Sequence, residues 1–270
     1  VKAHPFLRWV GGKTQLLPEL LKRAPAQFGS YHETFLGGGS MFFALRPKRA
    51  ILSDANADLV GAYRVVRDHV GELVERIACF AAKHCEQQYY DVRSDFNSKE
   101  GGEIVNAARM IYLNKTCFNG LYRVNKSGGF NSSIGTFKSP QAICDGELFR
   151  ACSEALQGVD VRLANFGEVE IAAKAGDFVY FDPPYVPASS TANFTAYTKK
   201  GFGPSDQLQL AQMVGRMKAG GVHVLVSNAG DEATVEMYRQ CGLSTEMVTA
   251  RRSINCSAGK RGPVADVLAT

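Results

Sequence analysis

Apolar positions along this chain follow two rhythms. In one, runs of four to six apolar residues stop at glycine or an acid, as buried strands do. Residues 31–36 read as a short strand that enters Gly37-Gly38-Gly39. Ser40–Leu45 then begins a helix, and 49–53 is a second strand that ends at Asp54. In the other rhythm, Leu59, Tyr63, Val66, Val70, Leu73, Ile77 and Phe80, then Ile104, Ala108 and Ile111, recur at helical spacing, so 58–115 is mostly α-helical. Residues 115–140 keep neither rhythm and are rich in Gly, Asn and Ser, which predicts a loop with a hairpin turn at Ser127-Gly128-Gly129.

Strand-like runs then resume. Residues 159–164 form one, and 177–181 is a near-continuous apolar run, as a central parallel strand requires, stopping at Asp182-Pro183-Pro184-Tyr185. Ser205 is placed to cap a helix to about Met217, with Leu210, Val214 and Met217 on one face. Gly220-Gly221 ends it before a strand at 222–226. A helix at 233–241 has Gly242 as its C-cap, 243–249 is a further strand, and 264–268 returns beside it. Strand, glycine turn, helix, strand and acid are half of a doubly wound sheet. The pattern predicts an α/β, Rossmann-like domain made of residues 1–56 and 161–270, interrupted by a mostly helical insert at 57–160, without internal repeats.

Composition narrows the class. Hydrophobic residues are 45% and charged residues 21% of 270, which excludes a disordered chain. No apolar stretch approaches the ~18 residues of a membrane span, and residues 1–5 lack the apolar core of a signal peptide. Seven cysteines without C-x-x-C spacing, and five histidines without H-x-H or H-E-x-x-H spacing, predict a reducing compartment and no metal site. The net charge of +5 is unevenly placed. Residues 1–18 (Lys2, Arg8, Lys13), 105–140 (Arg109, Lys115, Arg123, Lys126, Lys138) and 247–265 (Arg251, Arg252, Lys260, Arg261) contain no acid. They form either one polyanion-binding face or three separate solvated surfaces.

Three motifs carry chemistry. Gly37-Gly38-Gly39 permits close backbone approach by a ligand, but Phe42 stands where a dinucleotide fingerprint needs its third glycine, so a ligand without a pyrophosphate fits better. Asp54 at the next strand end suits two ribose hydroxyls; the alternative is an ordinary turn. Gly11-Gly12-Lys13-Thr14 resembles the end of a phosphate-binding loop, but Leu7 stands where the first glycine belongs, which excludes nucleotide hydrolysis. Asp182-Pro183-Pro184-Tyr185 is the sharpest. Proline has no N–H, so its carbonyl faces outward as an acceptor. One carboxylate and one carbonyl suit an –NH₂ group, and Tyr185 offers a π face for the ring that bears it; the alternative is a proline-rich turn.

In order, residues 6–13, Phe35 to Ser40, Asp54 and Asp182 to Tyr185 resemble the motifs of the α-group amino methyltransferases, and the chain looks like a Dam-type DNA adenine-N6 methyltransferase over nearly its whole length. Asn119-Gly120-Leu121, Arg123, Asn125, Thr191 to Tyr197 and Arg251-Arg252-Ser253-Ile254 also match. The resemblance implies S-adenosylmethionine as methyl donor, with S-adenosylhomocysteine as product, and no metal. It implies a donor site lined by Trp9, Lys13, Phe35, Gly37, Gly39, Asp54, Phe166 and Asp182, and a catalytic set of Asp182, Pro183, Pro184 and Tyr185. The insert becomes a target-recognition domain, with Arg8, Lys115, Asn119, Leu121, Arg123, Asn125, Lys126 and Lys138 toward double-stranded DNA and a GATC target. Base flipping, a monomer without membrane contact, a cytoplasmic, nucleoid-associated location and a bacterial or phage source follow as expectations. Rivals are cytosine-N4 methylation, a protein-glutamine methylase, which usually carries Asn where Asp182 stands, and a silent DNA-binding module, against which the intact Asp54, Asp182 and Tyr185 argue.

Overall fold

The computed structural model of the protein describes residues 1–136, 139–185, 201–251 and 263–270. Its helices are α1 (Leu17–Arg23), α2 (Ser40–Leu45), α3 (Ala57–Asp68), α4 (Val70–Ala82), α5 (Glu86–Ser98), α6 (Gly102–Thr116), α7 (Pro140–Ile143), α8 (Gly146–Leu156), α9 (Val169–Ala172), α10 (Pro204–Ala219) and α11 (Glu232–Gln240). Its strands are β1 (Tyr31–Glu33), β2 (Ala50–Asp54), β3 (Asp160–Leu163), β4 (Phe178–Phe181), β5 (His223–Ala229), β6 (Thr245–Arg251) and β7 (Pro263–Ala269).

The strands form one sheet in the order β3-β2-β1-β4-β5-β7-β6. β1 to β5 run parallel, and β7 lies antiparallel between β5 and β6. The chain winds from β1 to β3 in one direction and from β4 to β5 in the other. The order therefore reverses between β1 and β4, and the crevice beyond their carboxyl ends is where such sheets bind ligands. All four residues of β4 are buried, as its apolar run requires.

α3 lies beside the sheet and packs on α8: Arg64 Nε donates to the Val161 carbonyl at 2.9 Å and Arg67 Nη1 to the Val159 carbonyl at 2.7 Å. α4, α5 and α3 surround α6, whose buried face includes Ala108, Ile111 and Leu113. One apolar core runs from β1 and β2 through α3, α6 and α8, and a second fills the other sheet face under α10. Beyond α6, Val124 bridges Phe130, Asn125 N donates to the Gly129 carbonyl and Asn131 N to the Arg123 carbonyl, both at 2.9 Å. This is the hairpin expected around Ser127-Gly128-Gly129. Among the described residues, no helix is long and apolar enough to cross a membrane.

Several boundaries differ by a residue or more from the sequence reading, and three of them have a clear physical cause. β1 stops at Glu33 rather than 36, because the chain turns toward left-handed Gly37. α10 starts one residue before Ser205, with Gly203 as its N-cap; Pro204 is preset for the first helical position, and the Asp206 carboxylate accepts from Gly203 N at 2.9 Å. β5 runs to Ala229, past 226, because polar Ser227 and Asn228 are buried with partners, Asn228 donating to the Tyr238 hydroxyl at 3.0 Å.

Candidate active site

Asp182 leaves β4 at the crevice. Its Oδ1 lies 2.6 Å from Lys13 Nζ and accepts from Ser227 Oγ at 3.0 Å; Ser227 Oγ lies 2.8 Å from the Tyr180 hydroxyl. Lys13 Nζ also donates to the Gly11 carbonyl at 2.8 Å and stands 5.0 Å from the centroid of the Tyr185 ring. The N-terminal segment thus delivers a buried ammonium to the strand end. Burial raises the Asp182 pKa above the usual carboxylate value, while Lys13 and Ser227 draw it back down. Pro183 is buried, and Pro184 and Tyr185 are half-buried beside it.

The second half of the crevice begins at Asp54. Its carboxylate accepts from Gly37 N at 3.1 Å and Asn56 N at 2.9 Å, and burial against those donors pushes it up to about 6. Gly37 and Gly39 have φ of 48° and 67°. A Cβ on Gly37 would meet the Trp9 indole at 2.8 Å, and one on Gly39 the Tyr63 hydroxyl at 2.7 Å. These glycines therefore let the protein's own rings approach the turn closely. Tyr63 also donates to the Gly37 carbonyl at 3.2 Å. Phe35 stacks on Phe166 with centroids 5.6 Å apart, and Phe202 stands edge-on to Phe35 at 5.8 Å. Beneath the turn, Glu33 accepts from the Tyr31 hydroxyl at 2.9 Å and Phe42 N at 3.2 Å, and burial pushes its carboxyl up to about 8.

The basic segments at 1–18 and 105–136 meet. Arg8 N donates to Asn114 Oδ1 at 2.9 Å, and Asn114 Nδ2 donates to the Arg8 carbonyl at 2.7 Å and to the Gly120 carbonyl at 3.3 Å. Trp9 stacks on Tyr122 with centroids 5.3 Å apart, and the Tyr122 hydroxyl donates to Asp58 at 2.7 Å. Asn119, Arg123 and Lys126 are exposed, and Arg123 Nε donates to Asn131 Oδ1 at 3.0 Å. Asn125 is folded into its own turn, its Oδ1 accepting from Ser127 N at 3.0 Å and Gly129 N at 2.9 Å. Leu121 is half-buried, its carbonyl accepting from the Ser132 hydroxyl. Lys115 lies half-buried, 5.5 Å from the centroid of the Phe149 ring, and burial lowers its pKa, with the nearby Arg8 acting in the same direction. Lys138, the matches at 191–197 and 252–254, and most of the basic segment at 247–265 lie outside the described residues.

Sequence reasoning missed Ser227, Tyr180 and Glu33, and the clamp of Asn114 and Tyr122. It also missed Phe118, whose ring is 52% exposed beside Asn119. The one available signal was the polar pair Ser227-Asn228 ending an apolar run. A single sequence does not distinguish a buried Glu33 from a surface acid.

A sheet of this order, with an acid and two prolines at its switch point, defines a Rossmann-like methyltransferase. The sequence profile of the D12 class N6 adenine-specific DNA methyltransferases matches residues 9–254. The Type II methyltransferase M1.LlaDCHI of Lactococcus lactis subsp. cremoris is 35% identical over 276 residues, covering 100% of this chain and 96% of the relative. The DNA adenine methylase of Escherichia coli K12 is 34% identical over 270 residues, covering 99% and 95%. The DNA N-6-adenine-methyltransferase of Escherichia phage P1 is 32% identical over 265 residues, covering 97% of this chain and 35% of the relative. The chain belongs to the D12 class N6 adenine-specific DNA methyltransferase family and is an adenine-specific DNA methyltransferase.

Proposed function

We propose that the chain methylates N6 of adenine within GATC in duplex DNA, using S-adenosylmethionine and drawing the target base out of the helix into the Asp182-Pro183-Pro184-Tyr185 pocket. The observation that carries this reading is the Lys13 ammonium, 2.6 Å from the Asp182 carboxylate and 5.0 Å from the centroid of the Tyr185 ring. The ammonium marks the place where an acid and an aromatic face meet, the pair of features that an amine-bearing base requires.

The residues around the crevice fit the donor by their chemistry. Asp54 is a hydrogen-bond acceptor for ribose, Phe35 and Phe166 offer apolar faces for an adenine, and Trp9 closes the glycine turn. When bound, S-adenosylmethionine supplies an electrophilic methyl group. Everything else is work for the chain. An adenine amine is out of reach inside a duplex, so the base must leave the stack. Tyr185 receives its ring. The adenine N6 lone pair is delocalised, and acceptance by Asp182 and the Pro183 carbonyl gathers it on the nitrogen and aims it. This is catalysis by positioning and electrostatics. Transfer leaves N6 with one proton too many, and Asp182, whose proton affinity burial raises, is the adjacent acceptor.

The insert at 57–160 serves as the target-recognition region through the loop after α6. Arg8, Asn119, Leu121 and Arg123 face the bases, and Phe118 offers an exposed aromatic face for stacking. Lys126 meets phosphate, whereas Asn125 staples the turn.

Labelled S-adenosylmethionine, unmethylated GATC duplex and identification of the product base test this reading. Asp182→Ala is expected to lose at least about 10²-fold in methyl transfer, the scale of removing one key electrostatic group, while still folding and binding duplex. Near-normal turnover, or N4-methylcytosine as product, overturns it.

A further inference from the structure

We propose that Ser227 and Tyr180 are positioning residues for methyl transfer: a directed hydrogen-bond relay from Tyr180 through Ser227 fixes one oxygen of Asp182 and reserves the other for the target amine. It rests on the assignment of Asp182 as amine acceptor.

The direction of the relay follows from proton inventory. A serine hydroxyl has one proton, and an ionised carboxylate has none to give. Ser227 Oγ therefore donates to Asp182 Oδ1 across 3.0 Å, and its oxygen accepts from the Tyr180 hydroxyl across 2.8 Å. Lys13 Nζ reaches the same Oδ1 at 2.6 Å. Among the described residues, nothing donates to Oδ2. Carboxylate torsions are otherwise broad, so two donors on one oxygen set the plane in which the other points.

The strands supply the geometry. β4 and β5 pair in parallel with Phe181 opposite Val226, so one step further puts Asp182 beside Ser227. Tyr180 is two residues before Asp182 and shares its face of the strand. Ser227 and Tyr180 are 0% and 2% exposed inside the sheet, where hydroxyls cost stability unless paired. The relay ends at a tyrosine inside the sheet, so it orients the carboxylate and does not conduct a proton to water.

The test is single-turnover methyl transfer to unmethylated GATC duplex over a range of pH, with separate binding titrations of duplex and S-adenosylmethionine. For Ser227→Ala the rate constant is expected to fall about ten- to hundredfold, the range for a hydrogen bond to a charged group, with both dissociation constants within about twofold of the parent. Tyr180→Phe, which removes one oxygen and keeps the ring, is expected to act in the same direction by about two- to fivefold. The groups facing Asp182 are Lys13, Ser227, Tyr180, Tyr185, Glu33 of β1, Tyr31 and Asp266 of β7. Of these, Ser227 is one that favours the ionised carboxylate, so its loss is expected to move the acid limb of the rate to higher pH.

Parent-like rates in both variants overturn the proposal. So does a loss confined to the dissociation constants, or a lower rate with an unmoved acid limb, as general loosening would give. Should Ser227→Ala fail to fold, Tyr180→Phe decides alone by the same criteria. Asp182→Ala run in parallel separates the two levels: if it turns over normally, the acceptor assignment fails; if it is inactive while Ser227→Ala and Tyr180→Phe are normal, the relay alone fails.

Discussion

Asp54 and Glu33 carry raised carboxyl pKa values, about 6 and about 8, and the two positions have different consequences. Asp54 is half-buried at the crevice, held by the backbone donors of Gly37, Ala55 and Asn56. Asp54→Ala is expected to weaken S-adenosylmethionine binding by about 1.5–3 kcal/mol, as for losing a charged acceptor. In the parent, affinity is expected to decline as pH falls through about 6, when the carboxylate takes up a proton. Calorimetry that finds parent-like affinity in the variant removes Asp54 from the donor site. Glu33 is buried, and with its carboxyl pushed up to about 8 it is expected to hold its proton at neutral pH in the folded chain. Its folded pKa lies above the unfolded value, so its stability contribution is fully present below about 4.5 and is lost as pH rises toward about 8. Glu33→Gln keeps an acceptor for Tyr31 and Phe42 and cannot ionise. Its denaturation midpoint is expected to gain on the parent steadily across that window and then level off; a constant difference at every pH contradicts a protonated Glu33. Asp182 was legible in the sequence because two prolines after an apolar run announce a strand end with bare carbonyls. Glu33 was not, because its proton affinity is set by what the fold stacks around it.

The hairpin after α6 sorts its cations by how they are held. Arg123 is exposed yet tied through Nε to Asn131, which leaves the terminal nitrogens of its guanidinium to present a fork, whereas Lys126 is exposed at the turn. A fork gives two parallel hydrogen bonds to guanine O6 and N7, discriminating by ~1–3 kcal/mol; an ammonium at a phosphate positions without reading. Arg123→Ala is therefore expected to relax the preference for the first guanine of GATC. Lys126→Ala is expected to weaken binding to all sequences alike and to lower the salt slope by about one unit. Methylation of GATC against each singly altered site distinguishes them, and equal losses at every site for Arg123→Ala deny it a reading role. The hairpin itself was legible, because Ser127-Gly128-Gly129 breaks every periodicity. The inward turn of Lys115 was not: a basic residue in an acid-free stretch carries no mark of which way α6 faces. The full length of β5 was also hidden, since Ser227 and Asn228 look like the end of a strand until their buried partners are known.

At the scale of the molecule, the two halves of the sheet and the helices between them were readable from periodicity alone. Their junction was not. The N-terminal segment runs from Arg8, clamped by Asn114, to Lys13 on Asp182, and Trp9 between them lies against both the Gly37 turn and Tyr122. Asn114 is 0% exposed, and its amide serves both backbone groups of Arg8 and the carbonyl of Gly120. Periodicity measures neighbours along the chain, and this contact joins residues more than a hundred positions apart. The Trp9–Tyr122 stack also has an optical consequence. Trp9 is the sole indole in the chain, so intrinsic emission excited at the red edge of its absorption reports one location, the seam between the Gly37 turn and the hairpin. Titration with S-adenosylmethionine alone and with GATC duplex alone are each expected to change its intensity. In Tyr122→Leu the response to duplex is expected to vanish while the response to donor persists. Emission from the parent that ignores duplex would overturn the coupling of the hairpin to the indole through Tyr122.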